Sequence, residues 1–403
     1  MKKRLIIVIS IIVLVGLIIF IKINYFYDKY KMPDGVYINT KDNNIEVYSN
    51  KKVSDLIDSN VDIIDGSYYL DSNTIGDNKY VINYKYNKKS YKYELDYKVI
   101  DSVAPIYLNV ASSKTVLVGD DGDFCSSVNY ADNYDNEPSC NIVGEYDSSK
   151  EGTYNLNYVI SDSSGNENKH SLTVNVISKW PTSSNSTNTS TTTTTKTLFS
   201  DVLSNYKNDT NMIGIDISKW QGDVDFEALN NAGCEFVIIR MAVNTEPDET
   251  IDEDAYFRKN YEGAKNAGLK VGVYVYTSST SVEKSKEQAN WVINDLDGLS
   301  LDFPIVYDWE NWSNFRDYDI SIHTLNECFF AFHDIIESHG YDSILYGSKY
   351  YLNNMWIYNS YPVWLAHYVD HTNYDGNYIL WQMCNDGVID GINGAVDIDI
   401  YNK

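Results

Sequence analysis

Asp308 and Glu310 stand one residue apart at the end of the apolar run "FPIVYDWENW", residues 303–312. Burial disfavours an ionised carboxyl, and a like charge alongside disfavours the second ionisation, so such a pair tends to keep a proton near neutral pH. A proton-bearing carboxyl beside an ionised one is what cleavage of a glycosidic bond needs. Two more carboxylates occupy comparable settings, Asp216 in "GIDIS" and Asp397 in "AVDID". Tyr and Trp residues nearby offer flat faces on which sugar rings stack, and carboxylates accept hydrogen bonds from sugar hydroxyls.

These side chains must be carried by strands. From Asn211 onward short apolar runs alternate with helical patterns, which argues for parallel βα units. Residues 254–268 illustrate one helix: Asp254 is placed to cap it, Phe257, Tyr261 and Ala264 repeat at helical spacing, and Gly268 ends it. The two-residue period of a strand then sorts each apolar run into faces. Ile213, Ile215 and Ile217 oppose Gly214, Asp216 and Ser218; Val271, Val273 and Val275 oppose Gly272, Tyr274 and Tyr276. Phe303, Ile305, Tyr307 and Trp309 oppose Pro304, Val306, Asp308 and Glu310; Val363 and Leu365 oppose Trp364, Ala366 and Tyr368. In the last run Val396, Ile398 and Ile400 oppose Asp397 and Asp399. One greasy face and one face of small, aromatic and acidic residues predict a closed, TIM-like irregular β/α barrel. Its chemistry is expected at the C-terminal ends of the strands, with the four carboxylates.

The blocks "GIDISKWQGDVDFEAL", "AGCEFVIIR", "NAGLKVGVYVYTS", "FPIVYDWE", "YPVWLAHY", "ILWQM" and "GAVDIDIY" occur in the order and spacing of glycoside hydrolase family 25. Residues 211–403 therefore resemble the lysozymes that cut the β-1,4 bond between N-acetylmuramic acid and N-acetylglucosamine in peptidoglycan. The resemblance implies that Glu310 is the general acid/base and that Asp308 orients the substrate's N-acetyl arm. Asp216 and Asp397 match the family's two further active-site carboxylates. Tyr274, Tyr276, Tyr346, Trp364, Tyr368, Trp381 and Gln382 lie in or beside matching blocks and are the expected sugar contacts. With an N-acetyl group on the substrate, substrate-assisted retention is the expected mechanism. The sequence departs from the family after "FVIIR", where "MAVNTEPDET" replaces a glycine-containing loop.

The rest of the chain concerns where this chemistry is delivered. The 32 Lys and Arg against 57 Asp and Glu give a net charge of −25, which repels nucleic acid. With no CxxC pair and no cofactor signature, neither metal nor cofactor is expected. "MKKR" precedes the apolar run Leu5–Ile21, close to the roughly 17–25 residues a spanning helix needs. No small-residue cleavage site follows, and the leading cations favour a cytoplasmic N-terminus. The expectation is a cytoplasmic tail (1–4), a single-pass anchor in the cell membrane (5–23) and extracellular domains beyond it.

Residues 33–101 and 102–178 read as two all-β modules, since "IGDNKYVINYKY" aligns with "KEGTYNLNYVIS" and matches Tyr80 to Tyr154 and Tyr84 to Tyr158. The second resembles bacterial Ig-like domains and the first a divergent copy; as spacers they would hold the catalytic domain off the surface. Cys125 and Cys140 bracket a polar loop within the second module and are the expected disulfide. Residues 179–208 read as a Ser/Thr-rich linker and 209–403 as the catalytic domain.

Overall fold

The computed structural model describes residues 15–17, 29–180, 196–245, 250–357 and 361–403. They fall into two compact units, one ending at Val103 and one beginning at Ala104. Apart from residues 15–17, the expected anchor lies outside the described residues, among which no helix is long and apolar enough to cross a membrane.

The first unit is built on a hairpin of Gly76–Tyr86 and Lys89–Ile100, whose two-residue turn puts Asn87 and Lys88 at φ 45° and 64°. Paired positive φ values match the twist of the strands such a turn joins. Ile82, Tyr84, Leu95 and Val99 are fully buried along it. The second unit opens with a comparable pairing of Gly152–Ser161 and Glu167–Ile177, flanked by Ser139–Val143 and Ser113–Leu117 in one four-stranded sheet. Tyr84 and Tyr158, matched in sequence, are both fully buried in the leading strand of their hairpins. A disulfide joins Cys125 to Cys140, and Cys234, Cys328 and Cys384 are buried outside any disulfide.

The remainder of the second unit is a barrel. Helix α1 (Phe199–Tyr206) leads into β1 (Asn211–Ile217), α2 (Phe226–Asn231) into β2 (Phe236–Thr245), and α3 (Phe257–Asn266) into β3 (Lys270–Thr277). Then follow α4 (Val282–Leu296), β4 (Ile305–Trp309), a 3-10 segment (Trp312–Tyr318), α5 (Ile322–Ser338), β5 (Ser343–Ser348), α6 (Lys349–Asn354), β6 (Val363–Ala366), β7 (Tyr378–Val388) and β8 (Val396–Asn402). Strands β1 to β7 pair in parallel from neighbour to neighbour, and β8 closes the ring by pairing antiparallel with both β7 and β1. One reversed strand makes this an irregular relative of the eight-stranded α/β barrel.

The two faces of the strands bury two separate apolar clusters. The outward face, including Ile213, Ile215, Val271, Val273, Tyr307, Trp309, Leu365 and Ile398, packs under the helices. The inward face packs Phe236, Ile238, Val306, Ile344, Tyr346, Trp364 and Leu380 inside the ring. Gly214 belongs to this inner face, where a Cβ would come within 2.4 Å of the Phe236 carbonyl.

Three expectations are corrected. Phe303 faces inward beside Phe236 and Tyr401, because β4 begins only at Ile305 and the strand period does not extend back across Pro304. Asp254 lies two residues before Tyr256, the cap of α3: its Oδ1 accepts from the Tyr256 N–H at 2.9 Å, while its Oδ2 is held by Arg240. The segment assigned to the end of the linker is folded: Thr197–Leu198 pairs with Gly387–Val388 of β7, and Phe199 and Val202 of α1 are buried in the barrel's outer core. Those side chains are apolar at helical spacing, which the Ser/Thr tract before them is not.

Candidate active site

Strand register assembles the site. Asp308 on β4 lies between Tyr276 on β3 and Tyr346 on β5, Tyr346 is level with Trp364 on β6, and Arg240 on β2 is level with Tyr274 on β3. Across the closing pair, Asp216 on β1 is level with Asp397 on β8. Asp397 thus reaches the mouth from the N-terminal end of a reversed strand, whereas the sequence pattern placed all four carboxylates at C-terminal ends.

A cleft of 270 Å³ is lined by Asp216, Asp308, Glu310, Asp397, Tyr274, Tyr276, Tyr346, Trp364, Tyr368 and Gln382, ten of the eleven expected site residues. Glu310, Tyr346 and Tyr368 also line a second hollow of 530 Å³ along α6, so Glu310 borders both spaces. The eleventh residue, Trp381, faces outward in the helix-side core and donates from Nε1 to the His367 carbonyl at 2.8 Å. Adjacent residues on a strand point to opposite faces, so Trp381 and Gln382 cannot both face the lumen.

Gln382 organises the floor. Its Nε2 donates to Asp216 Oδ2 at 2.8 Å, and its Oε1 accepts from the hydroxyls of Tyr346 and Tyr368, each at 2.9 Å. Beneath it, fully buried Asp399 accepts from Trp364 Nε1 at 2.8 Å. On the opposite wall Arg240 donates through Nε to Asp254 Oδ2 at 2.8 Å, and Asp254 Oδ2 also accepts from the Lys219 backbone. Ser218, Trp220, Gln221, Arg240 and Asn385 join the lining without having been expected. The strand period could have found Arg240, two residues beyond inward-facing Ile238; Asn385 follows a register shift in β7 that breaks the period.

Burial sets the protonation of this cluster. It pushes Asp216 well above the ordinary carboxylate range, with repulsion from Asp397 and Asp399 adding to it. Asp399 is pushed up by burial and by Asp397, and Asp397 itself to about 6 by burial. Asp308 is raised well above the usual range by burial and then by Glu310, against a smaller opposing pull from Arg240. Glu310, at the exposed rim, is raised less: burial lifts it, while a hydrogen bond from Asp308 holds it down. Burial and mutual repulsion thus keep a proton on this carboxyl pair near neutral pH.

Among the described residues, the cleft lining contains no histidine, and His367 borders only the second hollow. His367 and His371 have an H-x-x-x-H spacing, but they lie in a loop, with His367 Nδ1 at 2.9 Å from the Thr372 hydroxyl and His371 against the Tyr206 ring.

Residues 215–392 match the family model of glycosyl hydrolases family 25. An autolytic lysozyme of Clostridium acetobutylicum is 32% identical over 198 residues, which are 48% of this chain and 56% of that protein. The chain thus spans about half the length of that relative. The uncharacterized protein YegX of Escherichia coli K12 is 33% identical over 199 residues, 47% of this chain and 69% of that protein. The crystal structure of a bacterial lysozyme from Streptomyces coelicolor has 26% identity and a TM-score of 0.43, covering 49% of this chain and 94% of that one. Through its barrel the chain belongs to glycosyl hydrolases family 25.

Proposed function

We propose that the protein is a peptidoglycan hydrolase, a 1,4-β-N-acetylmuramidase, held at the outer face of the cell membrane by residues 5–23, with two Ig-like modules between the anchor and the barrel in sequence. The observation that carries the activity is the convergence of Asp216, Asp308, Glu310 and Asp397 on one aromatic-lined cleft, with Glu310 also bordering a second hollow. An acid that borders two hollows suits internal bonds of a polymer.

In this reading Asp308 holds the proton of the carboxyl pair until the substrate's acetamide N–H donates to it, which favours its ionised form. The proton passes to Glu310, which delivers it to the leaving glycosidic oxygen as the C1–O bond breaks. The acetamide oxygen attacks C1 from the opposite side, forming an oxazolinium ion. Glu310, now ionised, takes a proton from water as that water opens the ring with net retention. Asp397, ionised above about pH 6, faces the same space and stabilises the positive charge that develops there, while Asp216 accepts from Gln382 in the floor.

Purified peptidoglycan treated with the wild-type chain is expected to release muropeptides ending in muramic acid, with the β-anomer formed first by NMR. Absence of release removes the enzyme reading in favour of a glycan-binding surface protein, and α-product removes the retaining mechanism. Membrane and medium fractions compared by immunoblot test the anchor: a shortened, mostly soluble product overturns it.

A further inference from the structure

The β segment 104–178 touches the barrel at the loops that follow the two strands bearing Asp308 and Tyr346. After β4 the chain turns at Glu310, whose carbonyl accepts from Trp312 N at 2.7 Å, and enters the 3-10 segment. Arg316 in that segment reaches across to the β segment, donating from one terminal nitrogen to the carbonyls of Cys125 and Val128 at 3.1 and 3.0 Å. Its guanidinium lies 4.6 Å from the centre of the buried Tyr130 ring. Asn129 donates to the Ser313 carbonyl in the same segment.

The next turn of chain is held too. The free N–H groups that open α5 need acceptors; the Asp132 carbonyl takes Ile322 N at 2.7 Å and the Asn133 carbonyl takes His323 N at 3.3 Å. After β5, Tyr350 on α6 donates to the Tyr107 carbonyl. Leu108 and Ala131 share the barrel's outer core. A spacer would not share core with what it spaces.

We propose that the β segment 104–178 is a working part of the catalytic unit, and that Arg316 is a positioning residue through which it fixes the backbone at Glu310. The link inward is a chain of packed rings: Trp312 meets Trp309 edge-on at 4.7 Å and stacks on Tyr351 at 4.0 Å, and Phe315 meets Trp309 edge-on at 5.8 Å. Trp309 and Glu310 are consecutive, so a shift of the 3-10 segment moves the acid relative to the fixed lumen. A misplacement of about 1 Å can lower a rate by about a hundredfold without abolishing binding. The role of Arg316 in rate rests on the muramidase reading; the docking does not.

The test uses the full chain with Arg316→Ala, Arg316→Lys, Tyr130→Ala and the Arg316→Ala/Tyr130→Ala double variant. Two readouts are followed: kcat and KM on peptidoglycan, and amide hydrogen exchange across residues 311–318. Arg316→Ala is expected to lower kcat about tenfold with KM within about twofold, and to lose exchange protection in that segment. Arg316→Lys keeps a cation over Tyr130 and is expected to fall between, which separates a local effect from misfolding. The double variant is expected to be no worse than Arg316→Ala, because the two side chains act as one contact. Unchanged exchange at 311–318 in Arg316→Ala, or a kcat within twofold of wild type, overturns the proposal. If the wild type releases no muropeptides, the activity reading fails while the exchange data still decide the docking.

Discussion

The two faces of strand β4 do opposite work. Outward, Tyr307 and Trp309 are fully buried among aromatic rings, with Trp309 Nε1 bonded to the Ser279 carbonyl at 3.2 Å. Inward, on the alternate positions, Asp308 and Glu310 carry charge that burial disfavours. A buried large ring stabilises by several kcal/mol and a buried carboxylate opposes folding, so one side of a five-residue strand supports what the other side spends. The lesson is that the acid is held from behind: its position is fixed by rings that never meet the cleft.

The contrast predicts that the two faces fail differently. The largest effect belongs to Glu310→Gln, which removes the transferable proton and is expected to cut muropeptide release by about 10²–10⁴ while the thermal midpoint stays level or rises. A parallel fall in midpoint would contradict the division of labour. Trp309→Ala should do the reverse, costing about 3–5 kcal/mol in urea denaturation; activity per folded molecule then reports only the loosened loop.

Asp397→Asn tests the cost of the inner face. Burial lifts Asp397 from 3.8 to about 6. Because a raised acid binds its proton more tightly when folded, its ionisation opposes folding increasingly from pH 3.8 to 6 and fully above that. The variant is expected to gain up to about 3 kcal/mol at pH 8, to lose that gain near pH 3.8, and to turn over substrate poorly. A pH-independent difference in stability sinks the burial argument.

The smallest effect separates two tryptophans. Trp381→Phe removes an outward hydrogen bond to His367 and should cost about 1 kcal/mol with kcat unchanged. Trp364→Phe strips the donor from buried Asp399 and should cost more, about 1–3 kcal/mol, with a fall in kcat. Equal kinetic effects would place Trp381 in the cleft after all.

Much of this was legible in the sequence because a two-residue period and a closed ring leave little choice of face. Ile213, Val273, Tyr307 and Leu365 went to the helices, and Asp216, Tyr274, Asp308 and Trp364 to the lumen, as their alternation required. Alternation says nothing of strand direction, which is why Asp397 was given the wrong end of β8. Family blocks say nothing of face, which is why Trp381 was grouped with Gln382. Arg240 shares the inward period of Ile238, yet its meaning lies in its partner Asp254, fourteen residues away, which residue type does not reveal. The docking of segment 104–178 rests on backbone carbonyls meeting Arg316 and the first N–H groups of α5, and such partners leave no trace in residue type.

The short pairing of Thr197–Leu198 with β7 changes what the Ser/Thr tract is for. With the β segment fixed on one side of it and β7 stitched on the other, the tract begins and ends in the same compact unit. Its length then sets no working radius for the enzyme; halving or doubling it alters only closure entropy, by about 0.6 kcal/mol.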